Sequence, residues 1–376
     1  MKMKTFFVAA LATMALAACS KEAEPGAPAP AAKTNFEVSL PGALETYGVE
    51  DPQGAGQITP YYDNVVVYMI DAGENAVGYA WTDAEIAAKQ KRFEQIVEPK
   101  AVGVIVNAGS LSLPTGSISL NDLNVILNDL AIADHNKPIK TLAAADAKGN
   151  AAGDYLSVQQ VTLMGEQWTF TTETSDDGHT LKKAAVELKS VVARFEVGTV
   201  KPGTGLDALT VDAVYINNFY NFYNNSGPSS VQSFTESTWP VTFSPAWATD
   251  AYNAAVTSAA GTKAYAYQVY PYNLIPHIIY KVSGTVSAGY KLSDGTGDET
   301  NPTSFTGKYI TVKGFRESGA LISSIDPHKI YKMGLDGGGI EITPDKITDK
   351  PEKNKIDLIV AITVADWTVS NVTPEI

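Results

Sequence analysis

The single cysteine of the chain, Cys19, closes the run Leu16-Ala17-Ala18-Cys19. A thiol preceded by small residues has the pattern of a lipobox. Small side chains at 17 and 18 fit a narrow protease site, and the thiol is the nucleophile that takes a diacylglyceryl group. Cleavage is expected between Ala18 and Cys19. The residues ahead of the site agree. Lys2 and Lys4 make a basic start, and Phe6 to Ala18 is an uncharged run of thirteen residues. That is the length of a signal-peptide core, short of the about 20 residues a spanning helix needs.

Other chemistry is hard to find. The four histidines, His135, His179, His277 and His328, are far apart, and none has a second ligand at a metal-site spacing. His135 and His179 fall in polar, turn-like segments, which predicts solvated loop side chains. There is no Gly-x-Ser-x-Gly elbow, no P-loop and no strand–GxGxxG–helix unit. Gly337-Gly338-Gly339 reads as a loop. Asp294 to Asn301 (DGTGDETN) has oxygen ligands for calcium, but its glycines and acids equally suit a hairpin loop, the favoured reading. Among 41 acidic residues nothing selects a glycosidase-type carboxylate pair. No catalytic residue, metal or cofactor is therefore predicted, and the chain is expected not to be an enzyme. The aromatic cluster Tyr215, Phe219, Tyr220, Phe222 and Tyr223 leaves three readings open: a sugar-binding platform, an interface patch, or a long loop packed over a sheet.

The composition narrows the partners. The chain has 376 residues, 44% hydrophobic content and a formal net charge of −13. The first eighteen residues carry two lysines and no acids, so the remainder stands at −15. That excludes a basic face for nucleic acid and a polybasic membrane patch. With one cysteine, no intrachain disulfide forms.

The remaining elements read mostly as strand. Residues 1–18 form the expected signal peptide, and 19–35, rich in Pro, Ala and Gly, a flexible tether. Phe36 to Leu40 alternates apolar and polar residues. Asn64 to Ile70 and Ala101 to Val106 are continuous apolar runs, suited to strands buried on both faces. Further strands are predicted at 167–171, 191–200, 209–216, 265–269, 277–286, 308–312, 328–333 and 356–369. Two helices are expected in the first half. Thr82-Asp83-Ala84-Glu85 is a capping box opening the segment to Ile96, and 120–130 has apolar residues at helical spacing, with Ser119 or Asn121 as cap. The prediction is a mainly β protein of two β-sandwich domains, transthyretin-like or Greek-key. The first, 36–189, carries one or two short helices; the second is 190–376.

Taken together these segments resemble the fimbrillins of Bacteroides-type bacteria, the type V pilins. The resemblance is carried by the lipobox with the strand Phe36–Leu40 after it, and by Val65-Val66-Val67-Tyr68 followed by Val104 to Gly109. It continues through Leu188 to Phe195, Ala266 to Tyr280 and His328-Lys329-Ile330-Tyr331. It ends in Ile362 to Val369, a Val-x-x-Trp strand. The resemblance implies a pilus subunit with other pilin subunits as partners, held at the outer membrane through lipid on Cys19 and processed by a protease. It implies assembly by strand exchange. The first strand, with Phe36, Val38 and Leu40, covers a groove, and a cut after a basic residue beyond it releases the strand. The C-terminal segment of another subunit, with Ile356, Leu358, Val360, Ile362, Val364, Trp367 and Val369, takes its place. Asp345 to Lys355, charged and with one proline, is expected to act as a linker able to swing.

One departure matters. No Lys or Arg lies from Thr34 to Ala88. Lys33 precedes the strand, and Lys89, Lys91 and Arg92 fall in the expected helix. The missing site favours an anchor that keeps its lipid, or a protease of other specificity; the C-terminal strand favours a polymerising stalk. The reading from a different class is a surface glycan-binding lipoprotein beside an outer-membrane transporter, with the 215–223 aromatics as its support.

Overall fold

The computed structural model describes residues 33–40, 42–44, 62–136, 140–141, 147, 155–156, 161–174, 180–223, 230–240, 249–250, 265–335, 339–353, 358–366 and 369–371. Ala18, Cys19, His179, Ile356 and Trp367 lie outside the described residues.

The first half is a pair of facing sheets. In chain order its elements are β1 (Lys33–Ser39), β2 (Gly42–Leu44), β3 (Val65–Ile70), β4 (Asn75–Ala80), α1 (Asp83–Ala88), β5 (Gln90–Val97) and β6 (Ala101–Val106). There follow β7 (Gly116–Ser119), α2 (Leu120–Leu127), α3 (Ile132–His135), β8 (Lys140–Thr141), β9 (Tyr155–Leu156), β10 (Leu163–Gln167), β11 (Thr171–Thr174), β12 (Thr180–Ala185) and β13 (Lys189–Ser190). One sheet has the order β11-β12-β1-β5 and the other β13-β10-β6-β3-β4-β7. The apolar runs β3 and β6 are neighbours inside the larger sheet and are buried at every residue. Gly78 is required opposite Tyr68: a Cβ there would stand 2.5 Å from the Pro114 carbonyl oxygen, to which the Tyr68 hydroxyl donates at 3.1 Å. The sheets meet through side chains such as Tyr79 and Phe93, whose rings contact edge-on at 5.0 Å.

The capping box works as the sequence predicts, but the helix is shorter. The Thr82 hydroxyl accepts from the Glu85 N–H at 3.3 Å, and the Glu85 carboxylate accepts from the Thr82 N–H at 2.7 Å. The helix stops at Ala88 because Lys89 turns left-handed, at φ 52°. Gln90–Val97 then pairs along β1 and buries Phe93. Lys91 and Arg92 are thus strand residues, because burying Phe93 in a sheet outweighs weak helix propensity. The second helix matches its expected face: Leu120, Leu123 and Leu127 are buried, and Ser119 caps it by accepting from the Asp122 N–H.

The second half contributes β14 (Ala193–Val197), β15 (Val200–Pro202), β16 (Leu206–Asn217), β17 (Phe219–Tyr220), β18 (Val231–Gln232), β19 (Thr249–Asp250) and β20 (Tyr265–Val269). It continues with β21 (His277–Val286), β22 (Thr303–Glu317), β23 (Ala320–Leu321), β24 (Lys329–Met333), β25 (Ile340–Ile342), β26 (Leu358–Asp366) and β27 (Val369–Asn371). One sheet runs β19-β16-β21-β22-β26-β24-β14-β20, with β23 added on β22. It curls over on itself: the Tyr267 hydroxyl on β20 reaches the Val214 carbonyl on β16 at 3.1 Å, although five strands lie between them. Phe195 fills the space inside, stacked on Tyr331 and tilted against Phe315. Arg194 and Glu196 alternate with it and are fully buried, joined at 3.0 Å.

Candidate functional site: the two terminal strands

β1 owes its place to its alternation. Phe36 and Val38 are fully buried and Leu40 nearly so, together removing three apolar side chains from water at roughly 2 kcal/mol each. Phe36 meets Phe170 edge-on at 4.9 Å. The strand is interior to its sheet, parallel to β12 on one side and antiparallel to β5 on the other. Between the core residues, Glu37 faces outward and pairs with Lys183 at 3.6 Å. Beyond the strand, Leu40 donates to the Lys89 carbonyl at 3.0 Å. β5 has β1 as its one strand neighbour among the described residues and is otherwise an edge. Loss of β1 would leave β5 without a strand neighbour and β12 with an unpaired side, and a groove where Phe36 and Val38 had been.

β26 is an interior strand of the large sheet. Its first part, Leu358 to Ile362, lies parallel to the end of β22, and its second, Ile362 to Asp366, antiparallel to β24. Only Ile362 is paired on both sides. Leu358, Val360, Ile362 and Val364 face inward, with Val360 and Ile362 buried, and Ile359 is 41% exposed. In this state the segment completes its own sheet, as an intramolecular terminal strand does. β27 runs on from it, and its backbone pairs antiparallel with β2.

The segment before β26 is packed, contrary to the swinging linker expected from its charges. Pro344–Lys346 is a turn of 3₁₀ helix, and Ile347 is fully buried. Thr348 bridges to Tyr309, exchanging backbone bonds at 2.9 Å in both directions. Glu352, buried, accepts from Asn217 at 2.7 Å and contacts His277 Nδ1 at 2.9 Å. Ile347 and the partners of Glu352 hold the segment down as far as Lys353.

Other expectations are also corrected. His135, predicted in a solvated loop, is fully buried. The Tyr270 hydroxyl donates to the Leu130 carbonyl at 2.9 Å, so it accepts from His135 Nε2 at 3.0 Å, and Nδ1 faces the Thr162 N–H at 3.4 Å. Burial, with Asp134 and Tyr223 nearby, pushes the Tyr270 hydroxyl well above its ordinary pKa. The aromatic cluster is mostly interior: Phe219, Tyr220 and Tyr223 are buried, and Phe222 is 39% exposed. Tyr223 and Ile132 exchange backbone bonds with the opposite segment, Tyr223 N–H to Leu130 and Ile132 N–H to Asn221. The backbone at 221–223 therefore joins the two halves, and the buried rings leave little of a sugar platform. In the loop from Asp294, the carboxylates hold the loop itself: Asp298 accepts from the N–H groups of Thr300 and Asn301, and Asp294 pairs with Lys308. Among the described residues no three acidic, His or Cys side chains converge as a metal site, and no helix is long and apolar enough to cross a membrane.

Sequence reasoning missed β5, β12 and β2, the partners of the terminal strands. The alternation in Gln90–Val97, broken by one bulge at Gln95 (φ 52°), was the available signal for β5.

No family model matches the sequence, and no curated protein does. Solved structures do. A fimbrilin from Porphyromonas gingivalis has a TM-score of 0.51 at 16% identity, over 91% of this chain and 99% of that one. A candidate cell adhesion protein from Bacteroides eggerthii has a TM-score of 0.45 at 15% identity, over 92% and 99%. The tip fimbrial protein Mfa3 from Porphyromonas gingivalis has 0.41 at 13%, over 89% and 100%. At such identity the similarity to the fimbrilin establishes a shared, mainly β fold.

Proposed function

We propose that this chain, with its fimbrilin fold, is a non-catalytic structural subunit of a cell-surface fimbria, exported as a lipoprotein and joined to its neighbours by exchange of a β-strand. The observation that carries the reading is the fold shared with the fimbrilin over 91% of the chain. The placement of β1 supports it. An interior strand held by backbone bonds and three inward side chains is one that a second strand of similar alternation replaces. β26 has that alternation.

The position of the basic residues bears on whether β1 leaves. Lys33 is the first residue of β1, so a cut after it frees the lipid and keeps the strand. Lys89 ends α1, and Lys91 and Arg92 lie on β5, bonded to β1; Lys91 is further tied to Glu85 at 2.7 Å. A cut at any of them would open a paired strand rather than a loop. This supports either an anchor subunit that keeps its lipid on Cys19 at the outer membrane or a protease acting beyond Leu44 without need of a basic residue.

Electron microscopy of the mature protein tests the reading, together with its N-terminal residue. Filaments that vanish on deletion of Val369 to Ile376, which removes β27 and leaves β26 between β22 and β24, are the expected result. Filaments unchanged by that deletion would exclude strand exchange through the C-terminus. A lipidated Cys19 identifies the anchored form, and a start between residues 45 and 60 the stalk form.

A further inference from the structure

We propose that the two ends of the chain form an interlock: the pairing of β2 with β27 keeps the C-terminal strand from another chain until the N-terminal strand leaves. This rests on the strand-exchange reading and adds its regulation.

Three consecutive antiparallel pairs carry it, Gly42 with Asn371, Ala43 with Ser370 and Leu44 with Val369. They form a separate two-stranded sheet, and among the described residues β27 has no other strand partner. A two-stranded pair of this length is marginal by itself. It persists only if the elements on either side hold its strands in place. β2 follows β1 after two residues, Leu40 and Pro41, and β27 follows β26 after two, Trp367 and Thr368.

Short connections make the coupling mechanical. Two residues reach at most about 7 Å. β1 is seven residues long, so drawing it out of its sheet moves its end much farther than that. β2 must then leave with β1, and β27 loses its partner at the same step. Any cleavage beyond Leu44 has the same outcome, because β1 and β2 lie on the same side of the cut. β27 is then left with unpaired N–H and C=O groups, which seek a sheet edge. The acceptor groove and the donor end thus become available in one event, and a subunit with β1 in place offers neither.

Hydrogen exchange and cross-linking on the full-length chain test this, with Cys19 lipidated or replaced by Ser. Ala43→Pro spoils β2 and leaves β1 in its sheet. It is expected to speed exchange at Val369–Asn371 by about tenfold or more, with Leu358–Asp366 unchanged. Equal exchange in the two chains would overturn the proposal. In Ala43→Cys/Ser370→Cys, directly opposed residues are expected to oxidise to a disulfide within the monomer and block polymer growth until reduced. A cross-linked chain that polymerises like the reduced one would also overturn it. If no variant polymerises but Ala43→Pro still releases Val369–Asn371, β2 does hold β27 within the chain, while the strand-exchange reading fails and the interlock's role in assembly fails with it.

Discussion

The side chain of Asn136 completes the edge of β20 as if it were a strand. Its Oδ1 accepts from the Gln268 N–H at 2.8 Å, and its Nδ2 donates to the Gln268 carbonyl at 2.9 Å. The same amide nitrogen reaches back to the Ile132 carbonyl at 3.1 Å. One residue of the first half thus covers both backbone groups of an edge strand in the second. Asn136→Ala leaves a buried N–H and C=O without partners and is expected to cost about 2–3 kcal/mol. Asn136→Asp keeps the acceptor but sets a buried carboxylate oxygen against the Gln268 and Ile132 carbonyls, so chemical denaturation should place it no higher than Ala.

The Arg194–Glu196 pair places two charges in the interior of the second half. Both side chains are fully buried and joined at 3.0 Å on one strand. Removing one partner leaves the other ionised in the interior, so Glu196→Ala is expected to destabilise by about 3–5 kcal/mol. Replacing both, as Arg194→Met with Glu196→Leu, should cost less than either single change. A double-mutant cycle read by denaturant midpoints checks it; additive losses would mean that the two charges are not coupled.

What the sequence made legible follows from where single residues carried enough information. The alternation at Phe36–Leu40 and the apolar runs of β3 and β6 need no partner to be recognised, and each coincides with a strand of the fold. The start of α1 was equally plain, because a capping box is local. Its end was hidden, because Lys89 turns left-handed only to let Phe93 pack and β5 pair with a strand more than fifty residues away. His135 misled for the same reason: its polar neighbours face a seam supplied by Tyr270 and Thr162, which local sequence cannot show. The 345–353 segment has the composition of a linker, and its anchors, Asn217, His277 and Tyr309, are all distant. The site was therefore visible as two strands, with the neighbours of β26 beside them, while β5, β12 and β2 were not.

Asp294 makes part of the stability depend on pH. Partial burial opposes its charged form, but hydrogen bonds from Lys308 and Thr296 outweigh that and hold the carboxyl at about 2. Its ordinary value is 3.8. A depressed folded pKa stabilises above the ordinary value, and the contribution fades as pH falls from 3.8 to about 2. At neutral pH, Asp294→Asn is expected to cost about 1 kcal/mol, reduced by screening at the surface. The gap between variant and wild type in urea midpoints should close across that acid window. A gap that stays constant with pH would assign the loss to packing instead of charge.

Glu352 pins the segment that leads into β26, and it does so from a left-handed backbone, at φ 61°. Its carboxylate holds Asn217 and His277, and its own N–H donates to Thr311 Oγ1 at 3.1 Å. Glycine takes that backbone without strain, while alanine pays about 1 kcal/mol for it. Glu352→Gly therefore removes the carboxylate contacts and relieves the backbone, and Glu352→Ala removes them without relief. Both are expected to speed hydrogen exchange over 347–353, with Ala the less stable of the two. If the carboxylate is the main tether, Gly too falls below wild type in stability, since lost hydrogen bonds to buried partners outweigh the relief. A glycine variant more stable than wild type would mean that backbone strain, not the carboxylate, dominates at this position. In that case the segment is held by Ile347 and Thr348, and β26 is tethered from the other end of the link.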